Sequence, residues 1–270
     1  MDRLEAIKTA SDIQATYSTL IGAYVAPAFL LMGLAGSGKT STALTGRTPI
    51  LIDMFDTKGY ILMHSNPKYK QMMAEGNLFV RLYTKEDSKK PTEYKKWADQ
   101  WEKDCKTGFL NFFGTYVIDS GTTWLEAMSN YIMAQKKRVE NLAIQDYTPI
   151  YNTVVDTIKI SCSQGCDFIY IAHTVTVKDE ITEEIVTELD TYNRLKSKIP
   201  KLFSEKYHCV TSRVPTGVKY ELLTSSAGRY TASTQLQNLN QKEEPNIKSL
   251  LEKAQLESKN KPPLVLEVKK

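Results

Sequence analysis

The stretch Gly33-Leu34-Ala35-Gly36-Ser37-Gly38-Lys39-Thr40 fits the pattern G-x-x-x-x-G-K-[ST] at every fixed position. That pattern describes a phosphate cradle. Glycines let successive backbone N–H groups turn inward, a lysine reaches the β- and γ-phosphates, and a hydroxyl ligates Mg²⁺. The flanks have the strand–loop–helix character such a loop requires. An apolar run of strand length, Ala28-Phe29-Leu30-Leu31-Met32, leads in, and Ser41-Thr42-Ala43-Leu44 continues as a helix. Residues 33–41 are therefore expected to bind a nucleotide, with Lys39 on its phosphates and Thr40 on the metal.

The chain then breaks at Gly46-Arg47-Thr48-Pro49 and resumes as a short apolar strand, Ile50-Leu51-Ile52-Asp53, which suggests a parallel βαβ unit. Asp53 and Asp56 fall at the C-terminal end of this second strand, where ligands gather in open α/β sheets. Either carboxylate can orient the water that attacks a γ-phosphate, or can belong to an ordinary Asp/Gly turn. A later strand, Tyr116-Val117-Ile118-Asp119, has the form of a Walker B element, whose aspartate holds Mg²⁺ through its water shell. The residues after it are Ser120, Gly121, Thr122 and Thr123, with no glutamate, so the water-activating role falls to Asp53 or Asp56. Phe168-Ile169-Tyr170-Ile171-Ala172 reads as another buried strand, and His173 at its end is placed to sense the γ-phosphate, or to serve as a structural histidine.

Elsewhere the pattern is mostly scaffold. Residues 1–27, with helical patches such as 3–13, are expected to lie on or pair with the edge of the core. Trp97 and Trp101, an i, i+4 pair, read as helix-docking residues. A helix is expected over 124–142 with Lys136, Lys137 and Arg138 on its solvated side, and Ile150, Val154, Ile158 and Cys162 mark a second amphipathic helix. Residues 174–190 form an acidic hairpin or loop, and strands at 209–214 and 218–224 are joined by Pro215-Thr216-Gly217. From residue 238 the sequence turns polar. This gives a core domain over 1–237 and a flexible tail over 238–270 with one short helix near 247–257. Four cysteines are too few for a disulfide scaffold, and Cys162, Cys166, His208 and Cys209 read as buried groups rather than a zinc site. A net charge of +4 permits a polyanionic partner without arguing for one. The N-terminus lacks a signal-like apolar core and no apolar run reaches membrane-spanning length, so the expected location is the cytoplasm, with no membrane partner.

A small-molecule kinase needs several arginines and a lid, whereas this chain is lysine-rich and has no arginine cluster. The motifs GLAGSGKT, LIDMFDTKG, YVIDSGTTWLEAM, QDYTP, IYIAHT and TSSAGRY resemble those of phage-encoded RecA-like P-loop ATPases, which include single-strand-annealing recombinases. The resemblance covers residues 15–235. It implies an α/β RecA-like core, mainly a parallel sheet flanked by helices, with a C-terminal β-hairpin region. It further implies ATP on the P-loop, Mg²⁺ held by Thr40 and Asp119, a polar sensor at His173, and a homo-oligomer in which Arg229 reaches a neighbour's ATP. Single-stranded DNA is the implied partner. The loop after His173, which contacts DNA in such proteins, is acidic here (Asp179, Glu180, Glu183, Glu184), leaving the lysines of 196–206 as the basic candidates. The other readings are a nucleotide-regulated assembly module with little catalysis, and a small-molecule kinase.

Overall fold

The computed structural model describes residues 3–21, 26–137, 142–178 and 183–265. In chain order the elements are α1 (Arg3–Ile21), β1 (Ala28–Gly33), α2 (Lys39–Ala43), β2 (Ile50–Met54), α3 (Gly59–Ser65), α4 (Pro67–Ala74), β3 (Leu78–Leu82), α5 (Glu93–Thr107) and β4 (Thr115–Asp119). There follow α6 (Gly121–Gln135), α7 (Ile144–Cys162), β5 (Asp167–Lys178), β6 (Ile185–Leu189), α8 (Asn193–Lys198), β7 (Glu205–Val214), β8 (Gly217–Leu223), β9 (Lys242–Glu243) and α9 (Ile247–Lys253).

One sheet carries the strands in the order β3-β2-β4-β5-β1-β7-β8-β9, with β6 paired to the outer part of β5. The pairings from β3 through to β7 are parallel; β6, β8 and β9 join antiparallel. β1 and β2 are parallel, as the sequence suggested, but β4 and β5 lie between them. The central strands are near-continuous apolar runs because both faces are covered. On one face Leu30, Tyr116, Ile118, Phe168 and Tyr170 meet Trp97, Trp124, Ile150, Val154 and Ile158 of α5, α6 and α7. On the other, Phe29, Leu31, Ile52, Val117, Ile169 and Ile171 meet Ala43 of α2, Tyr69 of α4 and three residues of α9. Among the described residues no helix is long and apolar enough to cross a membrane.

Three expectations need correction. The N-terminal segment is helical, but the side chains of its residues 5–15 are exposed except for Ala6, because polar residues on every side leave no stripe to bury against an edge. The helix expected over 124–142 starts earlier, where the Ser120 side chain caps it by accepting from Thr123 N, and stops at Gln135. Lys136 then pairs with Asp146 of α7, while Arg138 lies outside the described residues.

The largest difference concerns residues 238–265, which are no loose tail. β9 extends the sheet beside β8, and α9 buries Ile247, Leu250 and Leu251 in the core. Beyond α9 the chain is strapped across the end of the sheet away from the P-loop. Lys261 N donates to Thr48 O at 2.8 Å, and Leu264 N to Gly76 O at 3.0 Å. The Glu257 carbonyl accepts from Arg47 Nη1 at 2.7 Å. That guanidinium also holds Asp167, whose carboxyl burial pushes up to about 6 against the opposing hydrogen bonds and charge of Arg47. The polarity that suggested a tail is real, but three apolar residues at helical spacing suffice to dock it. If α9 belongs to the core, Leu250→Ala should destabilise the protein by about 3 kcal/mol in denaturant titration, against at most a few tenths for a side chain on a loose tail.

Candidate nucleotide site

The P-loop leaves β1 at the C-terminal edge of the sheet and feeds α2. Gly38 adopts φ 86°, a left-handed conformation, and a Cβ there would stand 2.9 Å from the Tyr220 ring. Only glycine meets both demands. Lys39 is 5% exposed and its Nζ donates to the carbonyls of Gly33 and Leu34, each at 2.8 Å. An ammonium has three donors, so one remains for a phosphate oxygen. Burial lowers the Lys39 pKa, opposed by Cys209, Asp119 and Asp56. The Ser37 hydroxyl is buried without a hydrogen-bond partner, an orphaned donor within the cradle.

Thr40 Oγ1 donates to Asp119 Oδ2 at 2.7 Å. The P-loop hydroxyl and the strand-end carboxylate expected to share a metal are therefore in contact. Asp119 is 1% exposed, and burial pushes its carboxyl up to about 6, partly offset by the Thr40 hydrogen bond. Hard oxygen donors, one hydroxyl and one carboxylate, suit Mg²⁺, which takes few protein ligands and completes its shell with phosphate and water. Among the described residues no group of three or more His, Cys, Asp or Glu could hold a metal by itself. Cys162, Cys166 and Cys209 are free thiols, and burial raises the pKa of each.

The two aspartates of the second strand separate. Alternation along β2 sends Ile50, Ile52 and Met54 to one face, and Leu51, Asp53 and Phe55 to the other. Asp53 is consequently sealed beneath α5. It accepts from Arg81 Nη2 at 2.9 Å, Trp97 Nε1 at 2.9 Å and Tyr116 OH at 2.7 Å. Burial raises its pKa against the pull of Arg81, and Asp53 lies outside the cavity at the P-loop. The expectation that Asp53 is a candidate to activate water is corrected: its position in the strand, rather than past its end, turns it inward.

Asp56 has left the strand and faces the cavity. Its Oδ1 accepts from Thr123 Oγ1 at 2.7 Å and Ser120 Oγ at 3.1 Å, and its Oδ2 lies 3.2 Å from His173 Nε2. Burial alone would raise its pKa, but the hydrogen bonds from His173, Thr123 and Ser120 outweigh it and hold the carboxyl below its ordinary range. His173 stands in register with Gly33 of β1, and its backbone N donates to Thr122 Oγ1 at 3.1 Å.

These parts enclose a cavity of about 750 Å³. Residues 35–42 line it together with Asp56, Asp119, Thr123, His173, Tyr220 and Pro245, while Gly33 and Leu34 contribute through the carbonyls that hold Lys39. Arg229 is not in the lining. It is exposed, its guanidinium 5.0 Å from the centre of the Tyr230 ring, and that ring lies 4.5 Å from the ring of His208. Burial pushes His208 down to about 4, helped by the charges of Lys39 and Arg229. Sequence reasoning missed Thr123, Ser120 and Tyr220. The first two carry a local signal, a hydroxyl cap at the start of a helix after a Walker B strand. Tyr220 carries none, because only the β7–β8 hairpin brings it over Gly38.

No curated protein sequence matches the chain. Among solved structures, the flagellar accessory protein FlaH of Methanocaldococcus jannaschii is similar at 11% identity and a TM-score of 0.40, over 74% of this chain and 78% of that one. The KaiC-like protein PH0186 of Pyrococcus horikoshii is similar at 13% identity and a TM-score of 0.42, over 73% and 77%. A family model described as an AAA domain matches residues 26–234, which run from the start of β1 to beyond β8. With a P-loop, a Walker B strand and a mainly parallel sheet of RecA-like P-loop NTPase type, the chain belongs to this AAA domain family, AAA_24.

Proposed function

We propose that the protein binds and hydrolyses ATP with Mg²⁺, slowly, as an oligomer that handles single-stranded DNA in phage recombination or replication. One observation carries the ATPase part. A single cavity gathers the P-loop lysine, the Thr40–Asp119 pair and the Asp56–His173 pair at the C-terminal edge of a parallel sheet. When bound, Mg²⁺ neutralises phosphate charge, and Thr40 with Asp119 would hold it. Lys39 binds the β- and γ-phosphates, and residues 36–41 supply backbone donors. Asp56 and His173 face the far end of the phosphate chain and order water there. The Tyr220 ring walls the cavity over Gly38.

Single-stranded DNA follows from the family resemblance, with Lys198, Lys201 and Lys206 at and after α8 as phosphate contacts. The oligomer follows from Arg229, which is exposed and outside its own chain's cavity, as a residue serving a neighbour's ATP would be. A second reading, a nucleotide-regulated assembly module with little turnover, is favoured by the β5–β6 hairpin. It carries Glu183, Glu184 and Glu188 where DNA would be expected to bind, and Lys196 is already paired with Glu188.

Lys39→Ala should weaken ATP binding by about a hundredfold or more and abolish turnover, read by nucleotide titration and phosphate release. Arg229→Ala should retain ATP binding and lose turnover, and mixing it with Lys39→Ala protein should restore part of the rate. Asp53→Asn should cost about 3 kcal/mol of stability by leaving Arg81 partly uncompensated, with little change in ATP affinity of the folded protein. Affinity for single-stranded DNA that falls steeply with salt supports the first reading, and absence of such binding supports the second.

A further inference from the structure

We infer that His173 is the general base of the hydrolysis, acting through Nδ1, and that Asp56 is the residue that positions it; the assignment rests on the ATPase reading. Three donors already converge on the Asp56 carboxylate: Thr123 and Ser120 on Oδ1, and His173 on Oδ2. An ionised carboxylate can only accept hydrogen bonds, so the His173 nitrogen facing it carries the proton. In a neutral imidazole the other nitrogen then holds the free lone pair. Nδ1 has no hydrogen-bond partner among the described residues, and the ring lines the same cavity as Lys39, Thr40 and Asp119. The side chain is 25% exposed, so water reaches it.

The ring is held from two sides. Its backbone is fixed by the register with Gly33 and by Thr122, and its Nε2 by Asp56. The other carboxylates nearby are committed or misplaced. Asp119 is tied to Thr40, Asp53 is sealed under α5, and Glu126 of α6 is outside the cavity lining. The charged groups facing the imidazole are Asp56, Asp119 and Glu126, all acidic. In the step itself, a water O–H bond breaks and its proton passes to Nδ1. The water oxygen bonds to the γ-phosphorus as the bond to the β,γ-bridging oxygen breaks. That electron pair leaves on ADP, and Nδ1 later returns its proton to phosphate or solvent. Asp56 faces the ring throughout, keeping its tautomer before the transfer and offsetting the charge it gains after it.

The test is ATP hydrolysis by the full chain, with ATP affinity measured alongside. His173→Gln keeps a side chain able to hydrogen-bond a phosphate but unable to take a proton. It should lower kcat by about a hundredfold or more with affinity changed by less than about threefold. Asp56→Asn should lower kcat with ATP affinity changed by less than about threefold, and should add little to the loss that His173→Gln already causes, because the carboxylate acts only through the ring. A His173→Gln enzyme within about threefold of wild type overturns the assignment while leaving the ATPase reading in place. Wild-type protein that releases no more phosphate than Lys39→Ala overturns both.

Discussion

A parallel sheet covered on both faces leaves only its ends for chemistry. Every central strand must be apolar on both sides, so a polar side chain inside a strand has either to find a partner in the core or to unfold it. The functional groups accordingly sit where the parallel pairing stops: the loop after β1, Asp56 after β2, Asp119 closing β4, and His173 level with Gly33 on β5, which itself runs on to pair with β6. The order β2-β4-β5-β1 places these four ends side by side, so residues distant in the chain converge on one cavity without any of them having to cross the core.

The interior handles its own charges differently from the site. Arg47 with Asp167, and Arg81 with Asp53 and Asp104, are matched donors and acceptors in the sheet or beneath its helices. Such pairs contribute little net stability over apolar residues of the same volume, but breaking one leaves an uncompensated charge. Around the P-loop the accounts are left open. Ser37 Oγ and His208 Nδ1 are buried without partners, and Lys39 has spent only two of its donors. Of the buried polar atoms without partners, Ser37 Oγ lies within the cradle whose shape and donors fit a polyphosphate, whereas Trp124 Nε1 and the hydroxyls of Thr174, Thr187 and Thr191 lie outside its lining.

Much of this was legible in the residues. The P-loop, the Walker B strand and the β7–β8 hairpin all rest on short-range patterns, and short-range patterns survive in a sequence, whereas the strand expected to end at His173 runs on to Lys178. What was hidden depends on a single residue of register or on contacts across the fold. Asp53 and Asp56 look alike as strand-end carboxylates, yet three positions of chain separate a core ion pair from a cavity wall. The last elements were misread because α9 is short and its flanks are polar; its three buried residues gain meaning only from the apolar surface that β1, β2 and α2 offer them. Arg229 is exposed, and its place outside the cavity follows from a turn that packs on His208 through Tyr230.

The strap formed by the last residues has a kinetic meaning. α9 covers apolar side chains of the central strands, and Ile247 N donates to Thr45 Oγ1 at 2.8 Å, just past the end of the helix that carries Lys39 and Thr40. A chain emerging from the ribosome has its whole P-loop apparatus synthesised long before the piece that closes that face. Until residue 253 has been made, Phe29, Leu31 and Ile52 lack part of their cover, and such a partly clothed core is the kind of surface that chaperones engage. The helix that follows the nucleotide cradle is thus backed by an element made much later in the chain.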